Sequence, residues 1–156
     1  AFLETMKRPF SLVFKQEVKD IILLKQIREA LHYIPMDRSD MKQSMKVILE
    51  ASNRVKAGEN FLIFAEGTRS RNGNETLPFK AGAFKAATRA KAPIVPVALL
   101  DSYAPFDRST TEPVTVQIHY MKPMYYEEYA GMKTTEIALE VEKRIREEIH
   151  KRMKAE

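Results

Sequence analysis

The chain is predicted to fold as an α/β domain with a mostly parallel central sheet flanked by helices. Short apolar runs with strand character alternate with stretches of helical period, which is the pattern of such a domain. No linker or repeat interrupts that alternation, and 156 residues with 44% hydrophobic content suffice for one core. Residues 1–156 are therefore expected to form a single domain.

The elements follow in order. Phe10 to Phe14, after Pro9, reads as a first strand, and Ile21, Leu24, Ile27, Arg28 and Leu31 mark one side of a helix. A short strand is expected over Tyr33 to Met36. Ser39 is a good N-cap with Asp40 in the first turn, and Met41, Met45, Ile48, Leu49 and Val55 recur at helical spacing until Gly58 ends that helix. Asn60 to Phe64 reads as a buried strand. Gly82 to Lys91 reads as a helix with Ala83, Phe84, Ala87 and Ala90 inward, stopped by Pro93. Ile94 to Leu100 is a strand whose Pro96, lacking an N–H, suggests an edge or a bulge. Val114, Val116, Ile118 and Tyr120 alternate with polar residues, giving a half-buried strand near a sheet edge. From Thr134 a charged amphipathic helix carries Ile137, Val141, Ile145, Ile149 and Met153 on one stripe.

Composition excludes several function classes. Without Cys there is no disulfide, thiolate metal site or cysteine nucleophile. The longest apolar runs fall far short of the roughly 20 residues a spanning helix needs. Glu4, Lys7 and Arg8 break up any leader-like apolar region at the start. The net charge of +5 is uneven, because residues 69–91 hold Arg69, Arg71, Lys80, Lys85, Arg89 and Lys91 against Glu75 alone. Such a run is either a solvated helix face or a surface that attracts anionic lipids or acidic partners. Nucleic acid is not expected, since the basic run has little aromatic interleaving and no reading motif.

Phe64-Ala65-Glu66-Gly67-Thr68-Arg69-Ser70 is the segment with the most chemistry. It sets a carboxylate, a flexible backbone, a hydroxyl and a guanidinium beyond the end of a strand, where ligands of open α/β sheets collect. Gly67 lets the backbone approach a ligand, and Arg69 can hold a phosphate through two parallel charged hydrogen bonds. The plain alternative is a polar turn with a surface ion pair.

Three blocks and one shorter stretch together resemble the lysophosphatidic acid (1-acyl-glycerol-3-phosphate) acyltransferase family. The family's strand ending in Asp-Arg is matched by Asp37-Arg38, and its Phe-Pro-Glu-Gly-Thr-Arg-Ser by residues 64–70 with Ala65 in place of Pro. Its apolar Val-Pro-Val strand is matched by Val95-Pro96-Val97, and its Phe-Lys-x-Gly stretch by Phe79-Lys80-Ala81-Gly82. The resemblance implies the glycerolipid acyltransferase fold. It also implies transfer of a fatty acyl group from acyl-CoA or acyl carrier protein, as cosubstrate and without a cofactor or metal, to lysophosphatidic acid, giving phosphatidic acid. Arg38 and Arg69 would bind the acceptor's phosphate, Thr68 and the Gly67 backbone would add donors, and Lys80 would supply a further point charge. Glu66 would orient Arg69, Lys80 or a glycerol hydroxyl. Asp37 would pair with Arg38 or cap a turn.

The attacking hydroxyl needs a proton acceptor, which the family's Asn-His-x-x-x-x-Asp block supplies. By alignment that block is expected a few residues upstream of Ala1, so the chain reads as truncated at its start. His32 to Asp37 fits His-x-x-x-x-Asp literally, but its Asp belongs to the Asp-Arg block and a strand separates the two residues. His119 in an alternating strand and His150 on a charged helix read as structural or solvated. Two other readings stand beside the first: an acyltransferase using glycerol-3-phosphate or another lysophospholipid, and a non-catalytic basic module docking on an anionic membrane surface. In either acyltransferase reading the expected location is peripheral to, or anchored at, the cytoplasmic face of a membrane.

Overall fold

A computed structural model describes residues 2–15, 32–36, 41–107 and 113–154. The helix expected over residues 21–31 and the cap at Ser39 lie outside the described residues, as do Asp37 and Arg38. The chain divides into two compact units that interleave in sequence, one of Glu4–Ile63 with Lys85–Ala92 and one of Ala1–Leu3, Phe64–Phe84 and Pro93–Glu156.

The first unit holds a three-stranded parallel sheet of order β2-β1-β3, with β1 at Phe10–Lys15, β2 at Ile34–Met36 and β3 at Asn60–Leu62. The central strand is shared lengthwise, Phe10 to Leu12 pairing with β3 and Val13 to Lys15 with β2. Helix α2 (Met41–Lys56) connects β2 to β3, the two strands that flank β1, because parallel strands of one sheet need a crossover. Its Val47 and Ala51 are buried with Ile34 of β2 and Ala86 of a short helix α3 (Lys85–Ala90). Val13, Met36 and Phe61 pack around them. Gly58 ends α2 in the left-handed region at φ 95°, a conformation that costs glycine nothing.

The second unit is built on an antiparallel pair, β4 (Val97–Leu100) and β5 (Gln117–Tyr120), covered by the long helix α6 (Thr134–Met153). Ala98 and Leu100 alternate inward from β4 and meet Ile137, Ala138, Val141, Ile145 and Ile149 of α6. Each fully buried Ile or Leu contributes about 1.5–3 kcal/mol of transfer free energy, so this stripe is the unit's main adhesive. Glu136 starts α6 by accepting the Lys133 N–H at 2.6 Å, which satisfies an otherwise orphaned donor. Short helices α1 (Phe2–Thr5), α4 (Ala104–Asp107) and α5 (Tyr126–Tyr129) complete the described elements, with α5 burying Tyr129 edge-on to Tyr126.

Several local expectations change. The strand expected from Val114 begins at Gln117 and leaves Tyr120 exposed, and the helix expected over 82–91 opens as a 3-10 turn, Ala81–Phe84, before α3 buries Ala86. The strand before the motif ends at Leu62, and Phe64 is 56% exposed, because the backbone leaves the sheet to begin a turn. The run from Ile94 is not one continuous strand. Ile94 pairs with Met124 and Val97 with Tyr120, so three steps on one side face four on the other; the Met121 N–H still donates to the Pro96 carbonyl in the β4–β5 register, so the mismatch sets Val95 against both Lys122 and Pro123. That is a bulge on the partner strand, next to Pro96 rather than at it. Met153, expected inward, is exposed because α6 runs past the end of its core.

Candidate functional site

The motif folds as a tight turn. The Gly67 N–H donates to the Phe64 carbonyl at 3.1 Å, closing a four-residue turn whose last position is left-handed, φ 77°. Glycine is favoured at that position because a Cβ is penalised there. Ala65 packs against the hydrophobic core of its unit, while Thr68 and Arg69 project to the surface.

A strap, residues 76–80, lies along this turn. Pro78 has no N–H to satisfy, and each of the three remaining donors from Leu77 to Lys80 has a partner. The Leu77 N–H reaches Glu66 Oε2 at 2.7 Å, and the Lys80 N–H reaches the Ala65 carbonyl at 2.8 Å. The Phe79 N–H reaches Glu142 Oε2 on α6 at 2.9 Å. Glu66 thus spends one carboxylate oxygen on holding the strap, a backbone role that the sequence reading, which aimed it at Arg69, Lys80 or a hydroxyl, did not include. Thr76, at the strap's start, is gripped by Arg146, whose Nε donates to its Oγ1 at 2.8 Å and whose Nη2 donates to its carbonyl at 3.0 Å. Just before the strap, Asn74 and Asp101 exchange hydrogen bonds of 3.1 and 2.7 Å, tying the loop to the end of β4.

The structure therefore brings Glu66, Gly67 and the Lys80 backbone together, with Arg69 two residues along the same loop. Among the described residues neither the Arg69 guanidinium nor the Lys80 ammonium has a carboxylate partner, and both are exposed. Two cations without a carboxylate partner among the described residues, beside a glycine turn, suit an incoming oxyanion. Arg38 and Asp37 lie outside the described residues. His32 belongs to the other unit, where it is exposed at φ 43°, its carbonyl accepting from Arg54 at 2.7 Å. The extended strand β2 follows it. Among the described residues no group of three or more His, Asp or Glu side chains is placed to hold a metal ion.

Asn74, Asp101, Glu142 and Arg146 are the site's supporting residues that the sequence reading missed. Pro78 is the available signal for one of them, Glu142. A proline in a loop leaves its neighbours' N–H groups to find partners outside a regular ladder, and charged residues on a nearby helix are natural candidates.

The comparisons with known proteins now have a structural frame. A 1-acyl-sn-glycerol-3-phosphate acyltransferase of Limnanthes douglasii is 34% identical over 121 residues, covering 72% of this chain and 41% of that protein. The mouse 1-acyl-sn-glycerol-3-phosphate acyltransferase alpha is 32% identical over 93 residues, covering 57% of this chain and 32% of its own length. The chain thus spans well under half the length of these relatives. The crystal structure of the 1-acyl-sn-glycerophosphate (LPA) acyltransferase PlsC from Thermotoga maritima superposes with a TM-score of 0.74 at 21% identity, over 95% of this chain and 58% of that one. At that identity the likeness shows the fold, an α/β acyltransferase fold with a parallel sheet flanked by helices. The family model described as Acyltransferase matches residues 1–100, a stretch that takes in β1, β2, the motif turn, the strap and β4, and on that match the chain belongs to the acyltransferase family.

Proposed function

We propose that the complete protein to which this chain belongs moves a fatty acyl group from a thioester, carried by coenzyme A or acyl carrier protein, to the free hydroxyl of lysophosphatidic acid. The hydroxyl oxygen forms a bond to the acyl carbon, the carbon–sulfur bond breaks, and the hydroxyl proton passes to a base while sulfur leaves as the thiolate. The product is phosphatidic acid. The observation that carries this reading is the turn at Phe64–Gly67 followed by an exposed Arg69, braced by the strap that presents Lys80. It is a receptor for a phosphate monoester, the group that distinguishes this acceptor from a neutral glyceride. The Limnanthes and mouse relatives are both 1-acyl-sn-glycerol-3-phosphate acyltransferases, which favours the same acceptor.

In this reading Arg69, with Arg38, binds the phosphate, the Gly67 N–H region and Thr68 line its approach, and Lys80 adds charge. A histidine–aspartate pair takes the proton, as in the family's first block. The acceptor is a membrane lipid, so the enzyme works docked at, or anchored to, the cytoplasmic face of a membrane; among the described residues no helix is long and apolar enough to cross one. The test is an assay of the complete protein with acyl-CoA or acyl carrier protein as donor, following thiol release and product by mass. Lysophosphatidic acid, glycerol-3-phosphate and lysophosphatidylcholine are compared as acceptors. Phosphatidic acid formation from lysophosphatidic acid in clear preference to the other two is expected. Preference for either of the others would overturn the acceptor assignment, and no turnover of any would overturn the enzyme reading.

A further inference from the structure

Three Glu–Arg pairs sit four residues apart along α6: Glu140–Arg144, Glu142–Arg146 and Glu148–Arg152, at 2.7, 2.9 and 2.7 Å. As sequence they are indistinguishable, each an ordinary i,i+4 pair of the kind that gives modest support to an exposed helix. In the structure the middle pair is different. Its Glu142, at 13% side-chain exposure, is about as buried as Glu148 at 16%, but both its oxygens are used: Oε1 by Arg146 Nη2 and Oε2 by the Phe79 N–H. Arg146 in turn holds the hydroxyl and the carbonyl of Thr76. One turn of a long, core-packed helix therefore grips both ends of a four-residue segment, Thr76 to Phe79, whose middle is held by Glu66.

We infer that Glu142 and Arg146 are positioning residues of the anion site. They fix the strap so that Lys80 and the Glu66–Gly67 turn keep one geometry, although neither side chain faces the ligand. The physical reason is economy of freedom. A surface loop holding an anion loses conformational entropy on binding unless it is ordered beforehand. Here the order comes from charged hydrogen bonds to a helix whose other face is pinned by Ile137, Val141, Ile145 and Ile149. The inference rests on the acceptor-phosphate reading above and specifies which remote residues tune that site.

The test uses the complete enzyme and separates the acceptor's KM from the donor's. Glu142→Ala frees the Phe79 N–H and should raise the acceptor KM on the order of tenfold or more, as misplacement of binding groups does, with the donor KM within about twofold. Glu142→Gln should recover most of the loss, because a carboxamide oxygen still accepts the Phe79 N–H. Glu140→Ala, which breaks a matched pair on the same helix without touching the strap, should leave both KM values unchanged. If Glu142→Ala does not fold, Arg146→Met removes the bonds to Thr76 while keeping an aliphatic stem, and the same split is expected. Arg69→Ala is run alongside. A raised acceptor KM for Arg69→Ala with none for Glu142→Ala or Arg146→Met overturns this inference alone. An unchanged KM for Arg69→Ala overturns the phosphate reading and this inference with it. Equal effects of Glu142→Ala and Glu140→Ala reduce Glu142 to a helix-stabilising residue.

Discussion

The Arg54 guanidinium donates twice to one oxygen of Glu59, through Nη2 at 2.6 Å and Nε at 2.9 Å, and the rest of its fork is also engaged. Nη2 reaches Ser11 Oγ at 2.7 Å and Nη1 reaches the His32 carbonyl at 2.7 Å, while the guanidinium lies 5.0 Å from the Phe61 ring centroid. These partners stand at the start of β1, just before β2 and at the start of β3, so one side chain from the last turn of α2 binds the amino ends of all three parallel strands. In the sequence the opposite, carboxyl ends lead on to the candidate residues, Asp37-Arg38 after β2 and the motif after β3, as is usual in an open α/β sheet.

Arg54→Ala should lower the melting temperature markedly. The hydrogen bonds to Ser11 and His32 each involve a charged donor, a class worth about 1.5–3 kcal/mol. Arg54→Lys keeps the charge but not the fork, so it should recover only part of the loss. Thermal unfolding followed by circular dichroism checks both, and equal stability of Lys and Arg at this position would show that charge alone matters.

Arg54 also holds the Glu59 carboxyl below its ordinary value of 4.5, chiefly by hydrogen bonding, with Ser11 helping. A lowered folded-state value means stability that is present above about pH 4.5 and lost as pH falls through the folded value. The stability difference between the native chain and Glu59→Gln should therefore be greatest near neutral pH and shrink on acidification. Parallel melts from pH 7 to pH 3 give the comparison, and a gap that widened in acid would contradict the assignment.

Gly67→Ala should destabilise by about 1–2 kcal/mol, because φ 77° brings Cβ close to the backbone, and it should weaken acceptor binding by shifting the turn. Gly82 provides the contrast. It lies in the short 3-10 helix Ala81–Phe84, has no left-handed φ, and a Cβ there would meet nothing within 4 Å. Gly82→Ala should be neutral or stabilising by about 0.5 kcal/mol. Chemical denaturation of the two variants tests the pair.

Arg69→Ala should raise the acceptor KM about tenfold to a hundredfold, the range of a lost charged hydrogen bond, with a smaller change for the acyl donor. Arg69→Lys should rescue only in part, since an ammonium cannot make two parallel bonds. Steady-state kinetics with each substrate varied decide it; an unchanged acceptor KM removes Arg69 from the clamp.

The parts of the structure that were legible in the sequence are those where pattern and packing agree. The stripe Ile137, Val141, Ile145, Ile149 and the stop at Gly58 lie where periodicity and glycine chemistry put them. Pro96 marks an interruption of its strand, but the bulge itself lies opposite Val95, on the partner strand. The motif was legible as residue types able to hold a phosphate, but not as a braced turn. The bracing is tertiary: Glu142 reaches Phe79 across 63 positions and Arg146 reaches Thr76 across 70, and no local pattern separates Glu142 from Glu140 or Glu148. Phe64 was misjudged as buried because an apolar residue at a strand's end looks the same whether the strand continues or turns away.

The basic stretch bears on how the proposed enzyme would meet a membrane lipid. Its six cations divide between the two units, with Arg69, Arg71 and Lys80 on the motif loop and strap and Lys85, Arg89 and Lys91 on α3 and the residue after it. All three of the latter group are exposed, while Ala86 of the same helix turns into the core. They can therefore be changed without touching the proposed clamp. Each cation near an anionic surface contributes about 1 kcal/mol, so Lys85→Gln, Arg89→Gln and Lys91→Gln together should weaken binding to anionic vesicles roughly a hundredfold. The effect should fade as salt shortens the Debye length from about 10 Å at 0.1 M toward about 3 Å at 1 M. Turnover of a detergent-dispersed acceptor should stay near normal, because the hydrogen bonds of the turn and strap are intact. Vesicle sedimentation at several lipid charges and salt concentrations measures the first effect, and a mixed-micelle assay measures the second. Binding that ignores both lipid charge and the triple substitution would make these three residues a solvated face and assign docking to another part of the protein.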